Sequence, residues 1–483
     1  MTSLQSLLFW ILVFVFAGVV AFVIRKTVSN RPWGFKDIVK NPGIWDAMAE
    51  GQQRVERDIQ AAQNWDVHQI ARATWHFIFE VKTGRNAWGE LRILKAMGAR
   101  VHPVIIDILK DPSVRPRLTV PTGIDLLPEA PLDRLCDLLE ENPPAEAVEL
   151  LIPFLDDPSS QIRKNVALVL GNVGTSNIAT AMRKAFSDAD EYVRSYALMG
   201  LERAVNGQHL DARCQRELFD DLQKLISEGK NADNAAALLL EFDKERATEF
   251  FLSPVVFTSD STSLHEALEA LADRKVPVPR DRLLTLIDEL EQSKLEYPWT
   301  YTLGGSLRLL GQLRQPEDRH FLELRTTNAD EAVAQGAAAG LLAMEGLENF
   351  RQKLWDKEKA VGFSSLSDPE RHFSAVTGLD GQVNNGGFSQ YFVNSDGNDW
   401  RDALAGLDAM GCKERAAILR EALGKFGSDG PATERETRQQ QLARHARAND
   451  ALFDSLDTRY YECTEVVEVV ATRYVIRNAE AFK

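Results

Sequence analysis

The sequence predicts an all-α protein in three parts: a single N-terminal transmembrane helix, an α-solenoid of stacked helical hairpins, and a C-terminal helical module. Three observations predict it. One apolar run opens the chain, one helical pattern recurs in its middle, and a glycine-rich turn between helical stretches marks its last quarter. A chain of 483 residues is long for one hydrophobic core, so more than one unit is expected.

The apolar run comes first. Leu7 to Ile24 reads LLFWILVFVFAGVVAFVI, with no polar side chain. A bilayer core about 30 Å thick takes roughly 17 to 25 such residues, so the run is long enough to span. A cleaved signal peptide would carry a basic segment, a shorter apolar stretch and a small-residue cleavage site. Here no Lys or Arg precedes the run, and Arg25-Lys26 follows it directly. Arg25, Lys26, Arg31, Lys36 and Lys40 form a positive flank of the kind retained in the cytoplasm. The expectation is an anchor within residues 1–30 of an inner, cytoplasmic membrane, with the N-terminus outside and the bulk of the chain cytoplasmic. The four cysteines are scattered without a C-x-x-C pair, which fits free thiols in a reducing compartment.

Residues 31–89 read as a juxtamembrane and capping region. Its aromatics, Trp65, Trp75, Phe77 and Phe79, sit in a helical pattern and are expected in a core. Residues 90–345 read as the solenoid. Asp157-Pro158-Ser159-Ser160-Gln161-Ile162-Arg163 leads into Val166-Ala167-Leu168-Val169-Leu170-Gly171. Ala189-Asp190-Glu191-Tyr192-Val193-Arg194 then leads into Ala197-Leu198-Met199-Gly200-Leu201. Ile162 maps on Val193, Arg163 on Arg194 and Val166 on Ala197. A turn, a β-branched residue plus Arg, and apolar residues at helical spacing describe a hairpin that buries its faces only by stacking. The pattern resembles HEAT-type, armadillo-like repeats, with weaker echoes at Leu94 to Gly98, Leu307 to Leu313 and Val333 to Leu342. Asn142-Pro143-Pro144 and Val276-Pro277-Val278-Pro279 read as turns between helices.

Charge is uneven along the chain. Residues 1–100 carry about +5, residues 101–350 about −17 and residues 351–483 about −3. An acidic repeat surface steers and selects basic partners, so a protein with a basic surface is the expected partner and direct nucleic-acid binding is not.

Residues 350–483 read as a separate helical domain. Ser367-Asp368-Pro369-Glu370 is a helix start, with Pro at the first position and acids beside it. Trp400 to Met410 and Ala416 to Leu423 have helical spacing and end at Gly411 and Gly424. Thr433 to about Leu456 reads as one long polar helix, and Tyr460 to Ile476 keeps a helical period through Val466, Val467, Val470 and Tyr474. Between these lies Asn384-Asn385-Gly386-Gly387-Phe388-Ser389-Gln390-Tyr391-Phe392-Val393-Asn394-Ser395-Asp396-Gly397. It reads as a tight turn feeding a short helix that stops at Gly397.

This segment and its flanks, about residues 365–478, resemble the bacterial DNA-mimic-protein C-terminal domain family. The resemblance rests on the asparagine-glycine turn, the F-x-Q-Y-F and N-S-D-G elements, the helix ending Met410-Gly411 and a later tyrosine-bearing helix. It implies a small all-helical module and, in acidic members, occupation of nucleic-acid-binding proteins in place of DNA. Mimicry needs a dense row of unpaired carboxylates, whereas this stretch is close to neutral.

The turn is the candidate binding site. Asn384, Asn385, Gly386, Gly387, Gln390 and Asn394 are its candidate ligand-facing residues, with open backbone N–H groups near Gly387 suited to a phosphate or carboxylate. Phe388, Tyr391 and Phe392 are expected to hold it structurally. The alternative for the same residues is a turn with core aromatics and helix caps. No phosphate loop, dinucleotide fingerprint, H-E-x-x-H, G-x-S-x-G or kinase set occurs. The expectation is therefore no enzyme, no catalytic residue, no metal and no cofactor. The favoured reading is a membrane-anchored scaffold; the alternatives are a regulator acting by DNA mimicry and an enzyme with an unrecognised site.

Overall fold

The computed structural model describes residues 43–81, 85–121, 129–292, 298–448 and 451–483, which form helices and turns with no strand among them. The apolar run Leu7 to Ile24 lies outside the described residues. Among those described, no helix is long and apolar enough to cross a membrane. The chain divides into two compact units, one of residues 50–278 and one containing residues 279–483. The division falls in Val276-Pro277-Val278-Pro279, read from sequence as a turn between helices. It does join two helices, and it is also the boundary between units.

The first unit takes in α1 (Gly43–Ala62) from residue 50 onward, then α2 (Val67–Phe79), α3 (Arg85–Lys95), α4 (His102–Lys110) and α5 (Pro131–Leu139). Asp66 starts α2 through a reciprocal pair: its carboxylate accepts the Gln69 N–H at 2.8 Å, and the Gln69 side chain accepts the Asp66 N–H at 2.9 Å. Phe77 is buried, while Trp75 and Phe79 lie ring to ring at 4.5 Å with Arg117 over both.

The repeat follows as α6 (Val148–Leu151), α7 (Ser160–Val173), α8 (Ala179–Phe186), α9 (Glu191–Asn206), α10 (Ala212–Ser227), α11 (Ala232–Phe242), α12 (Lys244–Phe251) and α13 (Leu264–Asp273). Ile162, Val193, Val166 and Ala197, which pair between the two sequence repeats, are all buried. The aligned arginines bind the connections. Arg163 holds Asp188 with two bonds of 2.7 and 2.9 Å, and Arg194 reaches the Asp188 carbonyl and the Asn231 side chain, both at 2.8 Å. Gly171 and Gly200 let α7 and α9 touch along their backbones. A Cβ at Gly171 would lie 2.7 Å from the Ala197 carbonyl oxygen, and one at Gly200 would overlap that of Leu168.

The second unit begins with α14 (Arg280–Gln292), α15 (Trp299–Gln312), α16 (Arg319–Arg325) and α17 (Glu331–Met344). The α15–α17 pair uses the same device: a Cβ at Gly304 would meet the Ala332 carbonyl oxygen at 2.6 Å, and one at Gly340 that of Leu307 at 2.6 Å. Then come α18 (Phe350–Val361), α19 (Asp368–Val393), α20 (Trp400–Met410), α21 (Lys413–Gly424), α22 (Arg435–Ala448), α23 (Asp454–Glu462), α24 (Val467–Arg477) and α25 (Ala479–Phe482). Leu342 and Leu347 share one core with Phe350, Phe373, Tyr474 and Phe482, so the last repeat-like helix and the C-terminal module are packed together.

Two expectations are corrected here. The long polar helix from Thr433 to Leu456 is two helices, α22 and α23, with a break between them. Polarity misled the reading, because Arg438 in α22 is fully buried. The helix of the glycine-rich motif ends at Val393 and not at Gly397. Asn394 adopts an extended conformation, and a 3-10 turn, Ser395–Asp399, follows.

Candidate functional site at the Gly386-Gly387 hinge

The glycine-rich motif is a kink inside one long helix rather than a turn before a short one. Ser367 and Glu370 form a capping box at its start, with Pro369 in the first turn. The helix runs to Asn385, breaks at Gly386 and Gly387, and resumes to Val393. Gly387 has φ 73°, in the region that glycine alone enters without strain. Asn384 and Asn385 are exposed beside the break.

The break frees backbone donors, and α23 supplies their acceptor. The Phe388 N–H donates to Asp457 Oδ1 at 2.8 Å, and a Cβ on Gly387 would overlap that carboxylate. The donor foreseen for an anionic ligand therefore holds the chain's own carboxylate. The neighbouring Tyr461 hydroxyl donates to the Val383 carbonyl at 2.9 Å, fixing the other side of the break.

Gln390 and Asn394 come together on Gln382. Their side-chain amides donate to Gln382 Oε1 at 2.9 and 2.7 Å, and the Gln382 amide donates to Asp396 at 2.5 Å. Gln390 is 8 % exposed, so this polar stripe is largely inside. Phe388 and Phe392 are fully buried and join Phe426, Phe453 and Tyr460, with Phe392 and Phe426 edge to face at 4.8 Å. Tyr391 is fully buried and its hydroxyl has no hydrogen-bond partner among the described residues; burial, then Asp396 and Asp399, raises its pKa.

The C-terminal end of α19 is closed by α22. Arg438 donates to the carbonyls of Phe392, Asn394, Ala432 and Thr433 and to Asn398 Oδ1, all at 2.7–3.0 Å. Arg435 and Gln439 both donate to the Val393 carbonyl. These bonds satisfy the open carbonyls of a helix end. Asp399, half-buried beside them, is pushed up to about 6 by burial and by Asp402, Glu358 and Asp396.

Most other carboxylates of the module are already bound. Arg371 holds Asp368 and Asp402, Arg415 holds Asp380, Arg420 holds Asp408, and Arg459 holds Glu421. The Glu465 carboxylate caps α21 at the Glu414 and Arg415 N–H groups. Among the described residues, no group of three or more His, Cys, Asp and Glu is placed to hold a metal ion. Cys136, Cys214 and Cys412 are buried thiols whose pKa burial raises, which makes them poor nucleophiles.

Sequence reasoning named the hinge and its aromatics but not Gln382, Asp457, Tyr461 or Arg438. Gln382 lies two helical turns before Gln390, a spacing that was available. Asp457, Tyr461 and Arg438 lie far along the chain, with no local signal pointing back to the hinge.

The comparisons with known proteins follow this division. Residues 364–478 match the family described as DMP19-like protein. Residues 102–202 match HEAT repeats. No curated protein matches the chain.

Proposed function

We propose that the chain is a membrane-anchored, cytoplasmic interaction protein whose acidic helical repeats present a surface to a basic protein partner. The observation that carries this reading is the uneven charge of the chain: residues 101–350 carry about −17, whereas residues 351–483 carry about −3. In the C-terminal module most carboxylates are committed to Arg or to backbone N–H groups. Helical repeats supply the extended surface that such partners use. Leu7 to Ile24 and its basic flank support the anchor and a cytoplasmic side for the residues that follow it.

The match to DMP19-like proteins favours a second reading, in which the module occupies a nucleic-acid-binding protein. The pairing of its carboxylates speaks against this, because a duplex mimic needs charge left free. Photo-crosslinking in intact membranes, followed by identification of the captured proteins, separates the two. Membrane or envelope proteins lost at high salt support the scaffold, whereas nucleoid or transcription proteins support mimicry.

A further inference from the structure

Three helices of the first unit lie side by side: α11 packs on α9 at one edge and on α13 at the other. Their open stripes differ in size. On α9, Tyr192, Tyr196 and Met199 follow at spacings of four and three residues, and Tyr192 is 61 % exposed. On α11 the central open residue is Ala237, with Asp233 and Glu241 one turn to either side. On α13, Glu266, Glu269 and Asp273 form the stripe that is not buried. Arg274, which follows α13, binds Glu241 at 2.6 Å and acts on Glu202 of α9, so the three helices turn these residues to one face.

Large side chains on the two flanking helices, with an alanine between them, make a trough. Packed helix axes stand about 8 to 10 Å apart, so α9 and α13 are roughly 16 to 20 Å apart across α11. A helix about 10 to 12 Å across fits that width. The two walls are unlike. The α9 wall is aromatic and apolar, whereas α11 and α13 carry five carboxylates and no Lys or Arg. Beyond α9, the Lys164 ammonium lies 5.1 Å from the centre of the Tyr196 ring and repels a cation on that side.

An apolar wall and a negative wall together define the occupant. We propose that the trough receives one amphipathic helix of the partner protein, with its apolar ridge on Tyr192, Tyr196 and Met199 and Lys or Arg on the edge facing α13. This rests on the acidic-surface reading above and names the place and form of the contact. Tyrosine, with an apolar body and a polar tip, is a residue type that anchors such contacts. Charge on one wall alone fixes which way round the helix lies.

The test uses the full-length chain in a nonionic detergent and a fluorescein-labelled Leu/Lys peptide of helical periodicity. Anisotropy is read at low salt against detergent alone, with a Leu/Glu peptide and polylysine as companions. The native chain should bind the Leu/Lys peptide and not the Leu/Glu peptide. Tyr192→Ala with Met199→Ala should weaken that binding about tenfold, the loss of one anchoring contact. Tyr301→Ala, the same truncation at an exposed tyrosine of α15, should leave it nearly unchanged. Glu266→Gln with Glu269→Gln should weaken it about fivefold, the scale of two solvent-edge charges. If neither double variant weakens binding more than Tyr301→Ala while polylysine still binds, the trough is overturned and the acidic-surface reading stands. If neither the Leu/Lys peptide nor polylysine binds at low salt, both are overturned.

Discussion

Two glycine pairs make different architecture from the same property. Gly171 and Gly200, on α7 and α9, let two helices approach backbone to backbone, and the approach recurs at Gly304 and Gly340 between α15 and α17. Gly386 and Gly387 instead break one helix so that its freed N–H meets the Asp457 carboxylate. The first use is periodic, local and needs only a neighbour of the same kind. The second occurs once and depends on one carboxylate seventy residues away in sequence. Repetition stabilises a surface, whereas the hinge stabilises a single packed module.

Substitutions at these glycines and their partners sharpen the contrast. The largest loss is expected for Gly387→Val, which combines positive φ with overlap on Asp457. It should cost roughly 3 to 5 kcal/mol and unfold the module under mild denaturant, read by near-ultraviolet circular dichroism. Phe388→Ala should cost a similar amount, about 3 to 5 kcal/mol, by opening the buried aromatic cluster. Gly200→Ala should cost less, roughly 1 to 3 kcal/mol, because the repeat spreads the displacement over neighbouring helices. If Gly200→Ala proves the more damaging, the hinge is not the more specific of the two structures.

A smaller effect, of opposite sign, is expected at Asp399. Its folded pKa of about 6 is raised, so below it the native state holds a proton that the unfolded chain has already lost. Stability should therefore fall as pH rises from about 4 to about 6 and remain lowered at pH 7. Asp399→Asn should flatten this profile and raise stability at pH 7. The gain should be of order 1 kcal/mol, once the remaining solvent exposure of the carboxylate is allowed for. A variant less stable than the native chain at pH 7 would show that the carboxylate is held by a partner.

The smallest effects belong to Gln390→Ala and Asn394→Ala. Each removes one bond to Gln382, and each should cost about 0.5 to 1.5 kcal/mol by thermal denaturation. Loss of ligand binding with an unchanged melting temperature would restore the hinge as a binding site.

What could be read from sequence follows the same contrast. The hairpin repeat was legible because Ile162, Arg163 and Val166 recur as Val193, Arg194 and Ala197, and each acts on its immediate neighbours. Helix starts at Ser367 and stops at Gly411 were legible for the same reason, since capping is local. The break between α22 and α23 was not, because a buried arginine looks like a surface one until its acceptors are known. Arg438 is buried because helix-end carbonyls far away in sequence converge on it. The hinge was visible as glycine chemistry, yet its occupant was hidden, since nothing near Asp457 marks it as a cap for Phe388.

The central claim is that the repeat surface, and not the C-terminal module, meets the partner. It is tested most directly by placing one photoreactive aromatic residue at a time in the full-length chain, in intact membranes. Tyr192 on α9 is 61 % exposed and falls on the same helix stripe as Tyr196, Met199 and Arg203; Tyr461, beside the hinge, is 51 % exposed. The account predicts a salt-sensitive crosslink to a basic protein from position 192 and none from position 461. A crosslink from position 461 alone, unaffected by salt, would contradict it.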